Sequence, residues 1–413
     1  MFAGMEYGWC NSLMADTNPH ETHNRKAEKE RIIKVRKALD QARVNIKKGS
    51  NLENTEKQMR ELLKDSANQR IMSLRLMLCE AIAKQYESGN EKLFLKEKYD
   101  TAALFNIAQR MFLAYNELDS MDAKPDNKGV VTLKYRRSNA AMLARYHKNL
   151  YSGGIFYLNH QKYKEAWSII DTYLSAYEWP LFSSDKIKKD SLMMSHAAYI
   201  SLISGYLCSD FQKALKYEDM VLSYTPKHES ILECLSEIYY EKEDLEQYEK
   251  YLRLGLESYP KSTYFFSYLI EYYNNYGMSQ KAMSLVDEMT AKDSTNILFM
   301  KVKQVLLLNK GRYDECISLG NSIIALDDSI PDVYYNVALA IYNQSLVLEE
   351  DASLKTREKK KQMNEMYRKC LPYIEKYRAM KPEEKDKWMP ILYTIYLNLN
   401  MGKEFDEILK LKQ

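Results

Sequence analysis

The chain has 413 residues, a length that allows two or three domains or one long repeat array. Its 13 glycines and 9 prolines are too few for the many tight turns of a β-sandwich or an open sheet, so a mainly helical protein is indicated. Hydrophobic residues make up 46% of the chain, which excludes disorder. The net charge of +3 is too small to indicate nucleic-acid or membrane binding by the chain as a whole.

Residues 1–22 are mostly apolar, but Glu6 interrupts them and no lysine or arginine precedes it. A secretory signal needs a basic start and an unbroken apolar stretch. The segment is therefore either a disordered tail or a signal peptide that has lost its beginning. His20 and His23 could share a helical face, but a third ligand is missing and no metal site is predicted.

The segment from Arg25 to Lys48 has the strongest charge bias, with ten basic and three acidic residues. Apolar residues such as Ile33 and Val44 are interspersed, so we expect an amphipathic helix. Contact with a membrane surface or with nucleic acid is one interpretation. A solvated outer face on the first helix of the fold is the other, and it is the one that we favour.

The helical pattern continues as irregular helical pairs over residues 23–121. Turn-forming residues mark a break over 122–135, and one more pair follows over 136–190. In that pair Gly153 and Gly154 lie within an apolar helix, where they allow a neighbouring helix to approach closely.

No membrane-spanning helix is predicted, because the longest uncharged stretch near the centre, residues 191–209, holds five serines and a histidine. The cysteines show no CxxC or CxH spacing, so neither a zinc site nor a disulfide framework fits them, and no cofactor is predicted. We expect them to be buried, unpaired thiols. They are Cys10, Cys79, Cys208, Cys234, Cys316 and Cys370.

From about residue 195 the sequence repeats every 34 residues over five periods. Such a period indicates stacked helix–turn–helix pairs. Pro226 and Pro260 close two of the units, while Gly277 and Gly311 mark the turn between the helices of a pair. A column of mostly small residues predicts close approach of the paired helices. It consists of Ala214, Tyr248, Ala282 and Cys316.

The period and its small, apolar and proline columns resemble the tetratricopeptide repeat, or TPR. The usual tryptophan is absent, and Tyr248 occupies the small column. The resemblance implies an all-α fold, a right-handed α-solenoid of antiparallel helix pairs that forms a TPR-like superhelix. The regular array is predicted over residues 191–413, with a helical insertion near 346–365 and a C-terminal cap.

Longer stretches resemble a family of exported TPR proteins of Gram-negative anaerobic bacteria. They include GRYDECISLGNSIIALDDSIPDVYYNVALAIYNQ (residues 311–344) and NLYSGGIFYLNHQKYKEAW (residues 149–167), and the similarity covers about residues 25–413. It implies export, a periplasmic location and a signal peptide that is shortened here, and it allows association with the cell envelope. No activity is assigned to the family, so the resemblance implies no function.

Motifs such as GxSxG, GxxxxGK[ST], HExxH and GxGxxG are absent, so the chain is not predicted to be an enzyme. We expect a non-catalytic scaffold that binds a protein or peptide partner in the concave groove lined by the first helix of each pair. Nucleic acid is not a predicted partner. A glycan- or polymer-binding accessory protein of the cell envelope is the alternative, because tyrosine faces suit both kinds of ligand.

The repeat register identifies the side chains on the first-helix face that is turned away from the second helix. Many of the 34 tyrosines could instead be wedged between adjacent repeats, so both roles stay open for them. The predicted groove residues are Tyr199, Tyr206, Glu233, Glu237, Tyr240, Tyr268, Glu271, Asn275, Tyr335 and Asn336.

Overall fold

The computed structural model describes residues 19–126, 128–183, 187–350 and 355–412, with side chains from residue 26 to residue 411. Within these ranges all regular structure is helical and no strand occurs. None of the helices described combines the length and the apolar character that a bilayer crossing needs. Most of the predicted tail or signal segment, with Cys10, lies outside the described residues, and so do the side chains of His20 and His23.

The chain divides into two compact units, and the first unit ends at Ser258. Most of its helices pack against the preceding helix in the chain, and the connections over residues 123–135 and 176–190 are longer than the others. They are α1 (Pro19–Lys48), α2 (Leu52–Lys64), α3 (Met72–Phe94), α4 (Thr101–Asp122), α5 (Arg136–Ala144), α6 (His147–Asn159), α7 (Tyr163–Ser175), α8 (Ser191–Leu207), α9 (Phe211–Ala214), α10 (Glu218–Val221), α11 (His228–Glu241) and α12 (Leu245–Ser258).

The second unit begins at Tyr259 and has the same plan. The described part of the predicted insertion is helical, because α17 continues to Glu350 and α18 begins at Thr356. The helices are α13 (Thr263–Asn275), α14 (Ser279–Lys292), α15 (Ile297–Asn309), α16 (Tyr313–Leu326), α17 (Pro331–Glu350), α18 (Thr356–Met380), α19 (Lys385–Asn398) and α20 (Gly402–Lys412).

Within each unit a helix contacts the next helix along the chain and, in several cases, the next but one. That is the contact pattern of a solenoid, in which each pair buries its apolar faces against its neighbours in sequence. The predicted class, an all-α solenoid of antiparallel helix pairs, is confirmed. The predicted domain boundaries near residues 121, 136 and 190 stay predictions.

Small residues bring the paired helices together. A Cβ atom added to Gly205 in α8 would lie 2.5 Å from the backbone nitrogen of Ala214 in α9. A Cβ atom on Gly154 in α6 would lie 2.3 Å from the side chain of Ile170 in α7. Such distances leave no room for a methyl group, so the glycines are required by packing rather than by backbone conformation.

The second helix of the pair that begins with α8 differs from the regular pattern. Instead of one continuous helix, two four-residue helices, α9 and α10, flank a 3-10 turn over Leu215–Tyr217. The turn directs the hydroxyl of Tyr217 to Asp171 in α7, to which it donates a hydrogen bond of 2.8 Å. Regular helical geometry is thus interrupted where the chain contacts the preceding pair.

One turn position is left-handed in four consecutive repeats, although only two of them have glycine there. The φ angles of Ser209, Glu243, Gly277 and Gly311 are 54°, 59°, 67° and 71°. In each case the next N–H donates to the carbonyl five residues earlier, as Asp244 does to Tyr239 at 2.9 Å. This closing bond of the helix C-terminus needs the left-handed residue, whatever its side chain.

Tyrosines link adjacent pairs through carboxylates. Tyr217 and Tyr251 occupy equivalent positions 34 residues apart. Tyr217 donates to Asp171, as described above, and Tyr251 donates to Oε1 of Glu218 in α10. Tyr239 donates to the other oxygen of Glu218 at 2.6 Å, and its ring stacks on that of Tyr251. Burial and the carboxylate both raise the pKa of these two tyrosines. Glu218 therefore connects α10 with both α11 and α12.

In the second unit the same tyrosine–carboxylate hydrogen bond occurs within a larger aromatic core. Tyr396 donates to Glu375 at 2.9 Å, and Tyr377 donates to Glu384 at 2.7 Å. Both tyrosine rings are buried around Trp388, which is 1% exposed. A tyrosine in this position fills the space between helices and still satisfies its polar end.

We expect Glu218→Ala to lower the free energy of unfolding by about 3 kcal/mol, because two nearly buried hydroxyls lose a charged acceptor. Tyr251→Phe, which removes one of the two bonds, should cost about 1.5 kcal/mol. Urea unfolding followed by circular dichroism measures both. Glu257→Ala, at an exposed position of α12, is the control and should change stability by less than about 0.5 kcal/mol. Equal effects at Glu218 and Glu257 would contradict the link.

We expect Glu243→Gly to raise the free energy of unfolding by about 1 kcal/mol, because glycine adopts the left-handed conformation without the cost imposed by a Cβ atom. Lys242→Gly at the preceding position, where φ is −83°, should instead be destabilising. Changes of opposite sign in the free energies of unfolding of the two variants would support the assignment of the turn. Loss of stability in both variants would refute it.

Candidate functional site

Four ring side chains form a contact series across the first helices of the first unit, here called the aromatic ladder: Tyr151 in α6, His196 and Tyr199 in α8, and Tyr224 after α10. The hydroxyl of Tyr151 lies 2.6 Å from Nδ1 of His196, in hydrogen-bond contact. The ring of Tyr224 is centred 5.0 Å from that of His196 and 5.5 Å from that of Tyr199. Burial lowers the pKa of His196 and raises that of Tyr199, so both are neutral near pH 7.

Two helical turns beyond Tyr199 on α8, Tyr206 contacts α11. Its hydroxyl donates to Oε2 of Glu237 at 2.5 Å, and this bond, with burial, raises the pKa of Tyr206 to about 12. Since Tyr199 and Tyr206 are seven residues apart, they lie on the same face of α8. The aromatic ladder therefore continues into a hydrogen-bonded Tyr–Glu pair.

α11 contributes a row of carboxylates to this surface. Burial raises the pKa of Glu233, and so do the neighbouring charges of Glu229 and Glu237. Glu229, Glu233, Glu237 and Glu241 follow one another at four-residue spacing, so they form a single ridge along the helix. Like charges at this spacing repel one another in an isolated helix.

All five groove residues predicted in the first unit lie on α8 or α11. Tyr199, Tyr206, Glu233 and Glu237 are half-buried. Tyr240 is 51% exposed, and its ring packs at 5.1 Å against that of Tyr248. We call these five residues the α8–α11 face; their use as a binding site stays a prediction.

In the second unit the predicted residues separate into two groups. Tyr268, Glu271 and Asn275 are exposed along one face of α13, with Tyr268 packed at 4.4 Å on Tyr264. Tyr335 and Asn336 in α17 are half-buried and contact neighbouring helices.

The contacts of these two α17 residues are specific. The ring of Tyr335 is centred 5.0 Å from that of Tyr377, and Nζ of Lys387 lies 5.6 Å from its centre. The amide of Asn336 donates to Oε1 of Gln304 in α15 at 3.3 Å. The ring contact with Tyr377 lies within the α17–α18 pair, whereas the contacts with Lys387 and Gln304 reach the neighbouring pairs. Packing between helices is the second of the two roles that the sequence left open for the tyrosines.

The sequence did not identify Tyr151, His196 and Tyr224 as members of the aromatic ladder. His196 could have been found, because it precedes Tyr199 by three residues and so shares its helical face. Tyr151 lies upstream of the regular 34-residue register, and Tyr224 lies in a turn rather than in a first helix. No periodic pattern assigns either residue to this surface.

The other ionisable groups are explained by packing. Within the described ranges no three His, Cys, Asp or Glu side chains are close enough together to hold a metal ion. Burial raises the pKa of the Cys234, Cys316 and Cys370 thiols to about 12, so they stay protonated and unreactive at neutral pH. The five cysteines with described side chains are free thiols. The expectation that they are buried is wrong for Cys208, which is half-buried because it lies at the C-terminal end of α8.

His147 is the most strongly perturbed histidine. It is 2% exposed and stacks at 4.5 Å on the ring of Tyr173, whose backbone carbonyl lies 2.9 Å from its Nε2. Tyr177 and Phe182 also contact the imidazole ring. Burial lowers the pKa of His147 to about 4, so the ring is a neutral core residue with no access for a substrate.

Neither a protein-family profile nor a curated protein sequence matches the chain. Among solved structures, YrrB, described as a TPR protein with an unusual peptide-binding site, is 14% identical with a TM-score of 0.32, over 47% of this chain and 88% of that one. The C-terminal part of a TPR repeat-containing protein from Cytophaga hutchinsonii is 14% identical with a TM-score of 0.41, over 63% and 93%.

Human IFIT1, solved as a dimer with m7Gppp-AAAA, is 13% identical with a TM-score of 0.34, over 80% of this chain and 72% of that one. At TM-scores this low none of the three structures bears on what this chain binds. The 34-residue period of this chain and the contacts between its helices indicate a tetratricopeptide-like architecture.

We expect the free energy of unfolding to fall by about 2 kcal/mol between pH 7 and pH 5 because of the lowered pKa of His147 alone. The unfolded chain binds a proton near pH 6.5 and the folded chain only near pH 4, so stability falls as the pH falls through this window. Urea midpoints of His147→Gln should lack this part of the pH dependence. His160→Gln, at an exposed position, should keep it; an unchanged profile in His147→Gln would contradict the assignment.

Proposed function

We propose that this chain is a non-catalytic scaffold that binds a segment of a partner protein on the α8–α11 face. The observation that carries the proposal is the Tyr206–Glu237 hydrogen bond beside the exposed ring of Tyr240. The bond fixes Tyr206 before a partner arrives, so little conformational entropy remains to be lost on binding.

Tyrosine suits such a surface because its ring gives a large contact area and has few rotamers to restrict. The aromatic ladder beside the face is already held by ring contacts, for example between Tyr199 and Tyr224 at 5.5 Å. A bound segment would therefore meet a rigid aromatic surface rather than a flexible one.

The charge of the face favours a partner segment that carries lysine or arginine. Burial and like charges raise the pKa of Glu233, so a cation placed beside it would relieve an existing repulsion. Arginine can also stack on the exposed ring of Tyr240. In the second unit, Tyr268, Glu271 and Asn275 offer a similar combination of aromatic, acidic and amide groups for a further contact.

We propose the periplasm as the location. The resemblance to exported repeat proteins supports it, and the burial of Cys79, Cys234, Cys316 and Cys370 is compatible with it, because a protonated buried thiol is protected from oxidation. Fractionation of cells that express the native gene tests the location. Recovery of the protein with cytosolic markers would refute it.

The binding proposal is tested by incorporating a photo-crosslinking amino acid at Tyr240 in the cells that express the protein. We expect one dominant protein adduct from this position. We expect none from Glu257, which is exposed on the following helix, α12. The purified adduct partner is then titrated calorimetrically with the full chain. Tyr240→Ala and Glu233→Ala should each weaken binding about tenfold or more.

Tyr276→Ala is the matched control, since Tyr276 is 52% exposed but lies at a turn rather than on a first-helix face. Circular dichroism confirms that each variant is folded. Equal losses of affinity in Tyr240→Ala and Tyr276→Ala would contradict the proposed position of the binding site. Retention on a polysaccharide column that Tyr240→Ala abolishes, without a protein adduct, would favour the glycan-binding alternative instead.

A further inference from the structure

We propose that the outer face of α1 rests on a membrane surface that contains anionic phospholipid. α1 has 30 residues, so it is about 45 Å long. The face is a stripe of residues at three- and four-residue spacing, spanning about 100° of the helix surface. It consists of Lys26, Lys29, Ile33, Arg36, Lys37, Asp40, Val44 and Lys47.

The opposite face of α1 attaches the helix to the fold. Val35, Ala38 and Ala42 are at most 6% exposed and pack toward α2 and α3. Asn45 donates to the hydroxyl of Thr55 in α2 at 2.9 Å. The outer face is therefore held in place by the first unit, and among the described residues nothing covers it.

Among the described residues, no acidic side chain is paired with the cations of the outer face. The ion pairs described on α1 are those of Arg31 with Glu28 and of Arg43 with Asp40, so the one carboxylate of the outer face is already engaged. The five basic residues of the face form no ion pair with any described residue. From Lys26 to Lys47 they extend over about 32 Å, so each can meet a separate phosphate group.

Apolar side chains within the charged stripe favour a lipid surface over nucleic acid. Ile33 is 53% and Val44 is 44% exposed, and Ile32 at the edge of the face is 53% exposed. A phosphate backbone in water offers such side chains little, whereas an interfacial helix places them among the acyl chains while its cations meet the headgroups. Charge and exposed apolar surface together thus indicate an anionic bilayer.

The test uses the full chain and vesicles of phosphatidylcholine alone or with about a third of phosphatidylglycerol, separated by sedimentation. We expect binding to the anionic vesicles only. The combined variant Lys29→Gln, Arg36→Gln, Lys37→Gln and Lys47→Gln should weaken it about 100-fold. Ile33→Ser with Val44→Ser should weaken it about tenfold. The matched control removes four exposed charges from the start of α18, at Lys355, Arg357, Lys360 and Lys361, and should change binding less than about twofold.

Equal losses in the α1 and α18 charge variants would overturn the proposal, because total charge rather than this face would then control binding. Equal binding to both kinds of vesicle would also overturn it. If the Ile33/Val44 variant binds vesicles normally and a short oligonucleotide competes with them, the face binds polyanions without lipid specificity and the proposal is wrong. Circular dichroism shows that each variant is folded; all substituted positions are exposed.

Discussion

The fold depends on the tyrosine side chain that packs between helix pairs and must also satisfy its hydroxyl. A helix pair in a solenoid buries its apolar surface only against its neighbours, so the contact between pairs carries much of the stability. Tyrosine fills the space between pairs, but a buried hydroxyl without an acceptor is costly. Carboxylates of the adjacent pair supply that acceptor, as Glu218 does for Tyr239 and Tyr251. The abundance of tyrosine in the chain is thereby explained first by structure and only then by recognition.

The same tyrosine–carboxylate hydrogen bond also occurs at the surface, where the hydroxyl and its acceptor are only partly covered. Tyr206 and Glu237 repeat the contact of Tyr239 and Glu218, but they are half-buried on the α8–α11 face. Such a tyrosine–carboxylate contact stays accessible where the stacking of pairs covers it only in part. Tyr240 beside it is 51% exposed, and its ring packs against that of Tyr248.

Among the described residues, α1 has neighbouring helices on one side only. α1 buries Val35, Ala38 and Ala42 against the fold and presents basic residues outward. A solvated face would need charge but not exposed isoleucine or valine. The α8–α11 face and the outer face of α1 lie on different helices, so the two proposals are independent.

The amino-acid sequence by itself determined the helix pairs. The 34-residue period gives the spacing of the pairs, and the glycines and prolines end the helices through local backbone geometry. It also identified Cys79, Cys234, Cys316 and Cys370 as buried thiols. It placed the first-helix residues of α8 and of α11 on a common face of each helix. It could not decide which tyrosines are exposed: the sequence places both Tyr240 and Tyr335 on the first-helix face, yet one is half-exposed and the other packs on Tyr377. Nor could it find the left-handed turns at Ser209 and Glu243, where the hydrogen bond that ends the helix imposes the conformation on residues that do not prefer it. Only the tertiary structure decided which tyrosines are exposed, because exposure and acceptor contacts depend on residues tens of positions away in neighbouring helices.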